Sequence, residues 1–179
     1  ILEGDALKNF PTPDMPYKVV ANIPYYLTAR LLRFLLEQQT RKPSLIVLTV
    51  QKAVAERITA LPGHQSLLSL SVQAYGTPTI VKTVPASCFS PKPKIDSAII
   101  KIADISDSFF IRNHIDPKKF FHIIRTAFSQ KRKILANTLN TIVGDKKSVL
   151  SLLDSLGLDS RIRPEQMSLQ EWARLYAHL

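Results

Sequence analysis

The chain has 179 residues, 45% of them hydrophobic and 21% charged, the balance of a globular protein with a packed core. Twenty-four Lys and Arg oppose fourteen acids, and the net charge of +10 favours a polyanionic partner, since each neutralised phosphate releases condensed counterions. No apolar run is long enough to span a bilayer, which places nucleic acid ahead of a membrane, and the single cysteine, Cys88, excludes an internal disulfide framework and fits a reducing compartment such as the cytoplasm.

The opening Ile1-Leu2-Glu3-Gly4-Asp5 reads as the tail of a strand entering a loop, so further residues are expected ahead of Ile1. Residues 17–21 form a short strand candidate. A helix is predicted over 27–38, where Leu31, Leu32, Leu35 and Leu36 recur at helical spacing. The near-continuous β-rich run 44–50 predicts a strand covered on both faces. Helices are predicted at 52–60 and 66–74, then strands at 79–84 and 97–103 around a proline-rich connector. Strands alternating with helices imply a mostly parallel sheet with helices on both faces, and the last two strands, joined without a helix, imply an antiparallel edge hairpin.

Beyond Ala103 the character changes. Residues 105–116 are polar and read as a linker; after it only helices are predicted, at 117–128, 131–142, 147–156 and 168–177. Asp116-Pro117, and Ser168 with Glu171 three residues on, are good helix starts. The expected organisation is therefore an α/β domain over 1–104, a linker, and an all-α domain over 117–179.

Asn22-Ile23-Pro24-Tyr25 follows a strand and precedes a helix, which puts it at the carboxyl end of a sheet strand, where doubly wound folds place their ligands. Pro24 stiffens the turn and pushes Ile23 toward an extended backbone, so that the Ile23 carbonyl can stand beside the Asn22 amide. Two such acceptors suit an exocyclic adenine amine: by taking its N–H bonds they draw the nitrogen toward tetrahedral geometry and free its lone pair, with no strong base needed before attack. Tyr25 offers a face for a base taken out of its stack, and Phe89, held among prolines, offers a second. Lys92 and Lys94 beside it suit phosphates. Asp5, in a neighbouring loop, could accept from the adenine amine of a cofactor. A plain Asn-X-Pro turn, a core role for Phe89 and a turn role for Asp5 are the structural alternatives.

Between Arg112 and Lys147 there are nine Lys or Arg against two acids, Asp116 and Asp145. Lys131-Arg132-Lys133, at a helix junction, is the expected RNA contact. His64, His114, His122 and His178 are scattered, and no Cys/His cluster has metal-ligand spacing, so no metal is expected.

These motifs together resemble the small-subunit ribosomal RNA adenine dimethyltransferases along essentially the whole chain. Gly4-Asp5-Ala6-Leu7 is similar to that family's cofactor-adenine loop, and Asn22-Ile23-Pro24-Tyr25-Tyr26 to its catalytic signature. Gln51-Lys52-Ala53-Val54-Ala55-Glu56-Arg57 departs from the family segment only where Ala53 replaces the usual acid. Phe89 through Ala98, and Ala127 through Lys133 with Asn137-Thr138-Leu139, match two further blocks. The resemblance implies a Rossmann-like class I methyltransferase sheet, its first part missing, followed by a small helical domain. It implies S-adenosylmethionine as cofactor, touched by Asp5, Ala6 and Asn22; a target amine held by Asn22, Ile23 and Pro24; and a base framed by Tyr25 and Phe89. The implied reaction is N6-dimethylation of two adjacent adenines in a hairpin near the 3′ end of small-subunit rRNA, in a pre-30S-type particle, by a cytoplasmic monomer. None of the five glycines stands in a G-x-G arrangement, so this chain alone is expected to bind the cofactor weakly and to be inactive. The competing reading is a non-catalytic RNA-binding or ribosome-assembly module that keeps the methyltransferase fold.

Overall fold

A computed structural model describes residues 3–5, 7, 13–130 and 133–179. The chain divides into two compact units, one made of Ile1–Thr59 and Tyr75–Ser106, the other of Ala60–Ala74 and Asp107–Leu179.

The first unit is built on four strands: β1 (Lys18–Asn22), β2 (Leu45–Gln51), β3 (Thr77–Val84) and β4 (Ser97–Ala103), in the order β1-β2-β4-β3. β1 and β2 are parallel; β4 inserts between β2 and β3 and runs antiparallel to both. The described sheet is thus mixed where the strand–helix alternation predicts a mostly parallel one, because a single antiparallel strand placed inside the sheet contributes two antiparallel pairings. β3 is the edge strand of the expected hairpin. It starts two residues earlier than its pattern suggests, because an edge strand tolerates Pro78, and a register shift between Ile80 and Lys82 marks a bulge that leaves Val81 largely exposed.

Ile46, Leu48 and Val50 of β2 stand opposite Ile102, Ile100 and Ala98 of β4, and all six are fully buried. The intervening residues of β2 are only half-buried, so β2 alternates rather than being covered on both faces. Helix α2 (Lys52–Ile58) packs on β2, β3 and β4 through Ala55 and Ile58. The predicted helix over 27–38 is a composite: a 3-10 turn at Tyr25–Leu27, α1 (Thr28–Arg33) and a π-helical turn at Phe34–Gln38, burying Leu31, Leu32, Leu35 and Leu36.

Gly76, just ahead of β3, allows a close approach. A Cβ there would lie 2.7 Å from the Ala103 carbonyl oxygen and 3.0 Å from Ile102 Cγ2. Gly76→Ala is expected to cost about 1–3 kcal/mol of stability, as overpacking against backbone does; an unchanged urea midpoint would show that the backbone yields there.

The second unit is helical: α3 (Leu67–Gln73), α4 (Ser108–Arg112), α5 (Pro117–Phe128), α6 (Leu135–Val143), α7 (Lys146–Ser155) and α8 (Leu169–Tyr176). Segment 60–74, expected within the α/β domain, groups with these helices instead. The amides of Gly63 and Gln65 donate to the Glu165 carbonyl, and α3 packs on α5. Nor is 105–116 an irregular linker. Its two phenylalanines wind into α4 and are buried, Phe110 meeting Phe120 edge-to-face at 6.0 Å and Phe121 at 5.9 Å. Five helical residues between polar flanks are too few for periodicity to declare them. Helix α5 begins where Asp116 predicts, its carboxylate accepting from the amides of Lys118 and Lys119. Ser168 and Glu171 cap α8 reciprocally. Helix α6 starts four residues later than expected, because Ile134 is extended and the Leu135 amide donates to the Ile162 carbonyl.

Candidate active site

Strand register decides which loops meet. Asn22, the last residue of β1, pairs with Thr49 near the end of β2; Gln51 at the end of β2 and Val84 at the end of β3 both stand opposite Ser97 at the start of β4. The connector 85–96 therefore leaves and re-enters the sheet at the edge where β1 runs into Asn22-Ile23-Pro24-Tyr25. This is the carboxyl edge of the parallel pair, the side on which open α/β sheets hold ligands.

The Asn22 corner is braced locally. Pro24, at φ −54° and ψ 131°, leads into the 3-10 turn, whose Leu27 amide donates to the Pro24 carbonyl at 2.9 Å. The buried Thr28 hydroxyl donates to the Tyr25 carbonyl at 2.9 Å. The Tyr25 hydroxyl and the Ser97 Oγ share a hydrogen bond of 2.6 Å, and Ser97 is fully buried in β4. A rigid strand thus fixes the far end of the Tyr25 ring.

The connector is clamped by the neighbouring residue. Asp96 accepts from the Ala86 amide on its carboxylate (2.9 Å) and from the Lys52 amide on its carbonyl (3.0 Å). A 3-10 turn at Ala86–Cys88 then delivers Phe89, which is half-buried, and the Ser90–Pro91 peptide is cis. Sequence reasoning gives neither Ser97 nor Asp96 a role, because their partners lie 72 and 10 residues away and only the fold brings them together.

Asn22, Ile23, Pro24, Tyr25 and Phe89, with Pro91 and Pro93, line one cavity of about 350 Å³. Asn22 is exposed, and its side-chain amide has no hydrogen-bond partner among the described residues. The cavity thus offers an unpartnered amide, two aromatic rings and a stiff apolar wall of prolines, which suits a flat heteroaromatic group with an exocyclic N–H.

Within the same unit, Asp5, Lys92 and Lys94 are not among the residues that line this cavity. Lys92 and Lys94 are exposed and do not line it, although they alternate with prolines that do. Asp5 is exposed too, one carboxylate oxygen accepting from the Leu7 amide at 2.9 Å. Lys133 is exposed, whereas Ala6, Lys131 and Arg132 lie outside the described residues. Among the described residues no group of three or more His, Cys, Asp or Glu is placed to hold a metal, and no helix is long and apolar enough to cross a membrane.

Comparison with known proteins places the chain in a family. A ribosomal RNA small subunit methyltransferase A from Dehalococcoides mccartyi (strain ATCC BAA-2266 / KCTC 15142 / 195) is 41% identical over 180 residues, 98% of this chain and 61% of the relative. One from Lactobacillus delbrueckii subsp. bulgaricus is 38% identical over 171 residues, 94% of this chain and 56% of the relative. The chain thus spans about three fifths of the length of these curated relatives. Among solved structures, a dimethyladenosine transferase from Plasmodium falciparum superimposes with a TM-score of 0.79 at 27% identity, covering 99% of this chain and 70% of the other. The 23S rRNA methyltransferase ErmE gives 0.74 at 20% identity with the same coverage, and so shares the fold. The pattern that defines the ribosomal RNA adenine dimethylases matches residues 1–179, and this chain belongs to the ribosomal RNA adenine dimethylase family.

Proposed function

We propose that this chain carries the base-binding corner and the helical RNA-binding part of an S-adenosylmethionine-dependent enzyme that dimethylates N6 of two adjacent adenines in a hairpin near the 3′ end of small-subunit rRNA. The observation that supports it most is the cavity lined jointly by Asn22, Ile23, Pro24, Tyr25 and Phe89.

In this reading the adenine lies between the rings of Tyr25 and Phe89, which offset the stacking lost when it leaves its helix. Its N6 amine donates to the Asn22 side-chain oxygen and to the Ile23 carbonyl. Both acceptors are set before the base arrives, one at the end of a hydrogen-bonded strand and the other ahead of a proline, so little reorganisation is needed. As the nitrogen gains positive charge, two oxygen dipoles already face it. The prolines of the connector supply an apolar wall on the same cavity.

S-adenosylmethionine, when bound, supplies the electrophilic methyl group. The residues present fit it to a limited extent: the Asn22 amide at the cavity and, for an adenine amine, the second oxygen of the Asp5 carboxylate, neither partnered among the described residues. Two polar groups hold a cofactor weakly. The 179-residue chain alone is therefore expected to show no calorimetric binding of S-adenosylmethionine at concentrations that saturate a full-length relative. Joined at Ile1 to the amino-terminal segment of the Dehalococcoides relative, it is expected to place labelled methyl on small-subunit particles and to yield N6,N6-dimethyladenosine on nucleoside analysis. A joined chain that bound cofactor and particle yet left adenine unmodified would favour the assembly-module reading instead.

A further inference from the structure

The cationic surplus that sequence assigns to the junction after α5 has a second location. Along α5, Lys118, His122 and Arg125 follow one another at intervals of four and three residues, so they form a stripe on one face, about 10 Å long. All three are exposed, as is Lys119 beside them, and α5 contains no acidic residue. The opposite face, with Phe120, Phe121, Ile124 and Ala127, is buried in the helical unit. Lys118 and Lys119 stand in the first turn of α5, where a cation opposes the helix dipole, and neither ammonium is ion-paired among the described residues. The charges are therefore not there for the helix.

At that end of the stripe lies a groove of about 500 Å³, lined by Lys118, Lys119, His122, Ile123, Ile142 and Tyr176 among others. Its floor is apolar and its rim cationic. Tyr176 is fixed from two sides: its hydroxyl oxygen accepts from the Asp116 amide at 3.1 Å, and its ring meets Phe120 edge-to-face at 6.0 Å. A rigid ring beside aliphatic side chains, under two unpaired ammonium groups, complements a ligand that is flat and apolar at one end and anionic at the other. An unpaired nucleotide has that shape. A duplex does not, because its bases are stacked and its deep groove is closed to side chains.

We infer that this groove takes an unpaired nucleotide of the RNA substrate, its base against Tyr176, Ile123 and Ile142 and its phosphates on Lys118 and Lys119, with the adjoining strand following His122 and Arg125 toward Lys133. The groove shares no lining residue with the cavity at Asn22 and rests on the RNA reading proposed above.

The test uses the 179-residue chain and a short single-stranded oligoribonucleotide carrying one 4-thiouridine. Wild type is expected to bind it with a marked salt dependence and to cross-link to the α8 or α5 peptides that carry Tyr176 and His122. The double substitution Lys118→Glu, Lys119→Glu suits the first turn of a helix and so preserves the fold. It should weaken binding about tenfold and reduce the slope of log affinity against log salt by about 1.4, two phosphates at roughly 0.7 each. Ile142→Trp fills the groove and should abolish the cross-link while leaving that slope within error. The same sequence as a duplex should compete poorly. An unchanged slope in the double variant, a cross-link confined to other peptides, or a duplex that competes as well as the single strand would each overturn the groove assignment. Lys133→Glu separates the two ideas. If it alone removes binding, the RNA reading stands and the groove falls; if wild type binds no RNA, both fall.

Discussion

Asn22→Ala, introduced into the chain joined to its relative's amino-terminal segment, is expected to lower single-turnover methyl transfer by about 10²–10³-fold, the usual cost of removing one preorganised polar group at a site of developing charge. RNA affinity should stay within about twofold, since phosphate contacts dominate affinity and the role proposed for Asn22 is to a base amine. The reason is geometric. Asn22 ends a strand whose pairing with Thr49 fixes its Cα, it is exposed at the cavity, and no described residue takes its side-chain amide. Asn22→Asp keeps an acceptor oxygen at the same place and should retain more activity than alanine. If the alanine variant turned over normally, or lost RNA binding in proportion to rate, the amide would not be what readies the amine.

The second large effect concerns the two rings. Tyr25→Ala and Phe89→Ala each remove a stacking face worth about 1–3 kcal/mol, so kcat/KM should drop by roughly 5- to 150-fold in each variant. The Tyr25–Ser97 hydrogen bond allows a finer separation. Tyr25→Phe and Ser97→Ala each break it while keeping the ring, at about 0.5–1.5 kcal/mol, a few-fold loss in rate. If the bond acts by holding the ring, the double variant should be no worse than either single one, because both remove the same interaction. Fully additive losses would mean that Ser97 matters for packing β4 and not for aiming Tyr25. Thermal unfolding of the same proteins tells the two apart: a positioning role predicts a loss of rate larger than the loss of stability.

Much of the architecture was legible in the chain itself, for identifiable reasons. Helix α5 announces itself through Asp116-Pro117 and a single apolar face, and its bounds agree with the expectation at both ends. Strand β4 agrees as well, Ser97–Ala103 being an apolar run bounded by the proline-rich connector and by the polar stretch after it. Helix α4 escaped notice because Phe109 and Phe110 sit among polar neighbours, and only burial against Phe120 reveals them as core. Segment 60–74 was assigned by chain order, whereas its backbone hydrogen bonds reach Glu165, about a hundred residues on. Local pattern holds no record of a partner at that distance.

The candidate site divides along the same line. Residue types and local backbone constraint are sequence properties: an amide before a proline turn, an aromatic ring after it, a second ring among prolines. The sequence alone determined those, together with the basic surplus that favours a polyanionic partner. Whether the two rings share a cavity depends on β4 inserting between β2 and β3, which brings Ser97 opposite both Gln51 and Val84 and so carries the Phe89 connector to the end of β1. Strand order follows from which apolar faces bury one another over long separations, a balance struck among residues far apart in the chain. Tertiary structure alone therefore decided that Ser97 braces Tyr25, that Asp96 clamps the connector, and that Lys118 and Lys119 overhang a groove rather than open solvent.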